Sequence, residues 1–104
     1  MNSIKIEKGA VEAIKKTIRL HDKMDELLQE NDKGPSWDGD IYLYNNIDLK
    51  AEHIQYRIPT QIKGKNNNQL LHRKSITYPV EYKNLRNYFN DGGVCYFVIV
   101  VSDD

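Results

Sequence analysis

The chain has 104 residues, 39% of them hydrophobic and 29% charged, which gives room for one modest core and fits a soluble globular protein. No apolar run approaches the roughly 20 residues of a membrane span, and the opening MNSIKIEKGA is too charged for a signal peptide, so no membrane partner is expected. A single cysteine excludes a disulfide scaffold and makes a reducing, cytoplasmic setting the default, while 15 basic and 15 acidic residues cancel to a formal net charge of zero.

In chain order, Val11, Ile14 and Ile18 recur at helical spacing and predict a helix over about residues 7–20. Leu20, Met24, Leu27 and Leu28 continue the helical pattern on a rotated face, as a bend, a second helix or one helix buried on two sides. The stretch ENDKGPS, residues 30–36, stops it, because Gly34-Pro35 cannot continue a helix. Residues 39–45 alternate Ile41 and Leu43 against Tyr42 and Tyr44, a strand with two unlike faces, and Asn45-Asn46 reads as a turn. IQYRIPTQIK, from Ile54 to Lys63, reads as a second strand in which Pro59 implies an edge position, a bulge or a break.

KGKNNNQ, residues 63–69, is a polar loop tip, and SITYPV, residues 75–80, is the third strand. EYKNLRNYF, residues 81–89, places Tyr82, Leu85 and Tyr88/Phe89 on one side of a short helix closed by NDGG. VCYFVIVV, residues 94–101, is a continuous apolar run expected to be a central strand covered on both faces. No internal repeat interrupts this order of α, β, β, β, α, β, which predicts an α/β (α+β) domain whose mixed central sheet is flanked by helices. Because the chain stops at SDD directly after its best core strand, residues 1–104 are expected to be the N-terminal domain of a longer protein.

Charge is unevenly spread along these elements. Residues 34–49 hold three Asp and no Lys or Arg, whereas residues 50–74 hold six Lys/Arg against one Glu, with His53 and His72 besides. An acidic turn followed by a basic stripe is informative, although a short basic segment is ordinarily a solvated loop.

Nucleophilic catalysis finds little support. Cys95 lies within the apolar run as an inert thiol, and His21, His53 and His72 lack partner motifs. No CxxC, HExxH or glycine-rich phosphate loop occurs, which argues against structural zinc and a P-loop. What remains is Asp38 and Asp40 opening one strand, with Gln61 and Lys63, two residues apart, on one face of the next. Two apart, the aspartates share a face, and periodicity does not choose between them. A hairpin would bring carboxylate, carboxamide and ammonium to one rim. Metal-assisted phosphodiester hydrolysis uses this set: a hard cation such as Mg²⁺ or Mn²⁺ takes one or two carboxylates and keeps several waters. A lysine lowers the pKa of such a water or stabilises charge on the phosphate.

The pattern DG-x-I (Asp38, Gly39, Ile41) followed by IPTQIKGK (Ile58–Lys65) resembles the restriction-endonuclease-like PD-(D/E)xK superfamily in its QxK variant. The variant occurs in Mrr-type restriction enzymes and in a bacterial domain family of unknown function and similar size, to which the similarity is closest. It runs through DKGPSWDG, IPTQIKGK, YPVEYKNLRNYF and GGVCYFVIVV, nearly the whole chain. The resemblance implies an αβββαβ core, DNA as substrate, and Asp38 as the metal ligand, with Asp40 either assisting it or capping the turn. Gln61 stands where a second carboxylate is usual, a slot active in some members and eroded in non-catalytic ones, and Lys63 is the charge stabiliser.

The superfamily often adds a glutamate from the first helix. Glu12 has Lys15, Lys16 and Arg19 on its own face, whereas Glu7 has Ala10, Val11, Ile14 and Ile18, so Glu7 is preferred; in a first turn it also favours the helix dipole. Lys65, Arg73 and Lys74 become phosphate contacts, and a homodimer and a further C-terminal domain are compatible partners. Tyr42, Tyr44, Tyr78 and Tyr82 read as core or rim packing. Two rivals stand beside the nuclease: a non-catalytic recognition or assembly module of a larger defence or repair protein, and a structural domain whose polar rim binds nothing.

Overall fold

The computed structural model describes residues 2–29, 37–67, 69 and 73–101. Helix α1, Ser3–Arg19, begins where the Asn2 side chain accepts the Lys5 N–H at 2.9 Å. Its apolar stripe buries Ala10, Val11, Ile14 and Ile18, and Lys16 and Arg19 sit in its last turn, where cations complement the helix dipole. The helical continuation expected over residues 20–28 is not formed. After the turn at His21–Lys23 the chain becomes strand β1, Met24–Leu28, with Met24, Glu26 and Leu28 turned inward and Asp25 and Leu27 outward. Met, Glu and Leu favour helices, but pairing with the next strand, from Met24↔Leu43 to Leu28↔Gly39, overrides that preference.

Strand β2, Gly39–Tyr44, pairs antiparallel with β1 and with β3, Ile54–Lys65, and a short 3₁₀ turn, Ala51–His53, leads into β3. The final strand β4, Cys95–Val100, pairs parallel with β3, giving the sheet order β1-β2-β3-β4. Strand β3 divides its length between two partners: β2 holds it up to Gly39↔Thr60, and β4 from Thr60↔Cys95 to Lys65↔Val100. Pro59 falls just before β4 begins. Its missing N–H therefore faces an edge that is locally open, although β3 as a whole is interior.

Helix α1 covers one face of the sheet, where Ala10, Val11, Ile14 and Ile18 close on Leu28, Ile41 and Ile62, with Met24, Ile58, Phe97, Ile99 and Val101 packed around them. Helix α2, Tyr82–Asn90, rests on the other face through Tyr88, the residue it buries. It ends as expected at the glycines: Gly93 N–H donates to Tyr88 O at 2.7 Å, and Gly92 has φ +89°.

Three further expectations are corrected. Strand β4 lies at the sheet edge rather than its centre and is half-buried throughout; its apolar character reflects partial cover on both faces, not neighbours on both sides. Residues 75–80 form no strand; the Tyr78 ring instead packs tilted against Tyr96 (6.2 Å between centroids, 47° between planes), and Pro79 removes a ladder donor. Tyr82, Leu85 and Phe89, expected beside Tyr88 on a packed side, are 78%, 50% and 84% exposed, and Tyr88 is the residue of α2 that is buried. The stop expected at 30–36, and His72, lie outside the described residues. The observed order is nonetheless α, β, β, β, α, β, a mixed four-stranded sheet with a helix on each face. Among the described residues no helix is long and apolar enough to cross a membrane.

Ile62 is fully buried at the centre of this packing. Ile62→Ala is expected to cost about 2–5 kcal/mol, measured by urea unfolding with an unchanged far-UV spectrum.

Candidate functional site

The site follows from the partner exchange in β3. Along a strand, alternate residues turn their backbone groups to the same edge. Thr60 O accepts the Asp38 N–H at 2.9 Å, so Thr60, Ile62 and Gly64 face the β2 side. Beyond Thr60 that side has no strand, and two carboxylates take its place. Asp38 Oδ2 accepts the Ile62 N–H at 2.6 Å, and Glu7 Oε1 accepts the Gly64 N–H at 3.2 Å. The two amides flank Lys63.

Each carboxylate is brought there by its backbone. Asp38 is held between strands, its N–H on Thr60 and its carbonyl accepting the Gln29 N–H at 2.9 Å. Glu7 lies on the sheet-facing side of α1 as preferred, whereas Glu12 is exposed. The approach of α1 depends on Gly64: a Cβ there would stand 2.7 Å from the Ile6 carbonyl oxygen and 2.8 Å from Ile6 Cγ2. Bare backbone lets the first turns of the helix lie against β3, within reach of the Gly64 amide.

Asp38 and Asp40 line the same groove but bond different partners. Gly39 between them has φ +150°, and a Cβ at that position would overlap the Leu27 carbonyl. Asp38 bonds the edge of β3, while Asp40 pairs with Arg57 at 3.1 Å and, through that hydrogen bond, raises the guanidinium pKa. The pair lines an open groove of about 450 Å³ shared with Trp37, Asp38 and Asp91. Asp40 is therefore an ion-pair partner beside the notch rather than part of it.

Gln61, 7% exposed, and Lys63, half-buried, alternate onto the α2 face together with Lys65. The Lys65 ammonium lies 5.8 Å from the centre of the Tyr78 ring. Arg73 and Lys74 are exposed in the irregular segment before α2, and no contact among the described residues joins them to the notch. Tyr82 is solvent-exposed rather than packed. His53 closes the turn after β2 on Asp48 at 2.9 Å, which holds the Asp48 carboxyl below its ordinary range. Burial pushes the Cys95 thiol up, in keeping with an inert sulfur.

Sequence reasoning missed Tyr96. It is the register partner of Gln61, and its ring is held between Tyr78 and Tyr88, each 6.2 Å away, with Trp37 beyond Tyr88 at 5.7 Å. Burial, then the neighbouring tyrosines, then the charges of Glu7 and Asp38 push its phenol up to about 12. Only the β3–β4 register reveals that a tyrosine within an apolar run lies beside Gln61. The Trp37 Nε1–H beside this cluster is buried without a hydrogen-bond partner among the described residues.

No group of three or more His, Cys, Asp and Glu side chains among the described residues is placed to hold a metal ion. The notch offers two carboxylates, the number with which Mg²⁺ is commonly held when waters and substrate complete its shell. No family model, curated protein or solved structure matches this chain.

Two measurements test this geometry. Gly64→Ala is expected to lose about 1–3 kcal/mol by overpacking against Ile6, with faster hydrogen exchange at the Gly64-position amide as Glu7 is displaced. Because Tyr96 keeps its proton in the folded state to about pH 12, the unfolded chain, ionising near pH 10, is favoured as pH rises between those values. The melting temperature is therefore expected to fall between pH 10 and 12, and Tyr96→Phe to flatten that fall.

Proposed function

We propose that this chain is a nuclease-like domain that hydrolyses DNA phosphodiesters with a divalent metal, Mg²⁺ or Mn²⁺, held at the Asp38–Glu7 notch. The observation that carries the reading is that two carboxylates remote in sequence occupy one strand edge, each accepting from one of the two amides on either side of Lys63. The resemblance to the PD-(D/E)xK superfamily in its QxK form supports it, as do the element order and the positions of Asp38 before β2 and of Gln61 and Lys63 in β3.

In this reading a bound divalent ion supplies Lewis-acid polarisation and a more acidic bound water. Asp38 and Glu7 are its ligands, oriented by the Ile62 and Gly64 amides, and Gln61 positions the water or the phosphate from the adjacent face. Lys63 stabilises the charge that develops on the phosphate, in a partly desolvated position that strengthens its effect. Lys65 is a further phosphate contact, and Arg73 and Lys74 extend the basic stripe.

A second reading has its own observation: both carboxylates already satisfy backbone amides, and Gln61 lacks the charge of a second ligand. A non-catalytic recognition or assembly module of the same fold needs no more than this.

Cleavage of plasmid DNA by the purified chain, with and without Mg²⁺ or Mn²⁺, separates the readings. The nuclease reading expects metal-dependent cleavage that Lys63→Ala abolishes with the fold intact. Asp38→Asn is expected to keep an acceptor for the Ile62 amide, and hence most of the melting temperature, while losing metal-induced stabilisation and cleavage. Metal or DNA binding without cleavage supports the module. Absence of any thermal shift with metal or DNA, at low or high salt, overturns both.

A further inference from the structure

The two edges of the sheet are unlike. At one edge β1 is five residues long and carries Asp25 and Glu26, charges of the kind that discourage pairing with another chain. At the other, β4 reads Cys-Tyr-Phe-Val-Ile-Val, without a charge, a proline or a glycine. Its register with β3 runs unbroken from Thr60↔Cys95 to Lys65↔Val100, so no bulge twists the edge away. The Val101 N–H donates to Lys65 O at 2.8 Å, which assigns the odd-numbered residues of β4 to β3. By alternation Tyr96, Val98 and Val100 turn their N–H and C=O groups outward. Among the described residues nothing bonds these groups.

We propose that this edge pairs with β4 of a second copy of the chain, antiparallel about a two-fold axis at Val98, so that two four-stranded sheets form one continuous sheet. The geometry closes on itself. Tyr96 of each copy stands opposite Val100 of the other and Val98 opposite Val98, and in such hydrogen-bonded pairs each residue exchanges both of its backbone bonds. Every outward N–H and C=O on both strands is thereby satisfied. No like charges meet, because β4 has none, and apolar side chains on both faces of the strand extend both apolar layers across the axis. Helix α2, carried on β4 by the Tyr88–Tyr96 contact, also leaves Tyr82, Leu85 and Phe89 exposed, apolar surface beyond that of the strand edge itself. The proposal is independent of any nuclease activity.

Light scattering coupled to size exclusion of the full chain tests it. The expected mass is twice the 12.2 kDa of the monomer, falling toward 12.2 kDa on dilution. Val98→Pro removes an outward N–H that serves no bond to β3, at a strand edge where proline is tolerated. It is expected to give a 12.2 kDa monomer with an unchanged far-UV spectrum. As a second measurement, Val98→Cys in a Cys95→Ala background places two thiols across the axis with Cα atoms roughly 5.5 Å apart, within disulfide range. Mild oxidation is expected to give a covalent dimer, whereas Leu27→Cys at the opposite edge gives none. A wild-type chain that is monomeric at every concentration overturns the proposal. So does a folded Val98→Pro variant that remains a dimer, or cross-linking through position 27 and not 98; should Val98→Pro fail to fold, the cross-link decides.

Discussion

The structure depends on how β3 satisfies its own backbone. The strand is twelve residues long, and neither neighbour accompanies it throughout: β2 departs at Thr60 and β4 begins there. On the side β2 vacates, the Ile62 and Gly64 amides would otherwise be unpaired beside the core, at about 1–3 kcal/mol each. Asp38 and Glu7 supply the missing acceptors as carboxylates, and hydrogen bonds to an ionised acceptor are the stronger kind. These contacts span 24 and 57 positions of sequence and tie the first helix and the entry to β2 onto one strand.

The same requirement concentrates chemistry. A strand edge completed by side chains rather than by another strand leaves carboxylates where a purely backbone ladder would leave none. With Lys63 between the two amides and Gln61 and Tyr96 adjacent on the α2 face, negative and positive groups share one half-buried rim. Fold and candidate site are linked: the Glu7–Gly64 contact ties α1 to the strand that also holds Asp38. Glycine makes both possible, Gly64 by admitting α1 and Gly39 by letting the backbone pass the Leu27 carbonyl between Asp38 and β2.

The two sides of the sheet are organised differently. Beneath α1 the packing is aliphatic, centred on Val11, Ile14, Ile41 and Ile62. Beneath α2 it is aromatic, with Trp37, Tyr88, Tyr96 and Tyr78 in contact edge to face or tilted, and it is only half closed. An aromatic layer with hydroxyls tolerates the neighbouring Gln61 and the two lysines in a way that an aliphatic core does not.

Local pattern sufficed for α1, β2, α2 and the strand character of β3 and β4, because an apolar period or a glycine cap is written in adjacent residues. It also preferred Glu7 to Glu12, since that choice depends only on which helix face is apolar, and it put Gln61 and Lys63 on one face of β3, whereas it left Asp38 and Asp40 undivided and only the family resemblance singled out Asp38. It misread residues 24–28 and 75–80. MDELL has helical propensity and becomes a strand only because β2 is beside it, whereas SITYPV has strand propensity but packs as single side chains against the sheet. Edge or centre for β4, the different partners of Asp38 and Asp40, the pairing of Gln61 with Tyr96 and the two amides awaiting carboxylates were decided by tertiary structure alone. Each of these turns on which strand lies next to which and in what register, and register is a relation between segments that no single segment encodes.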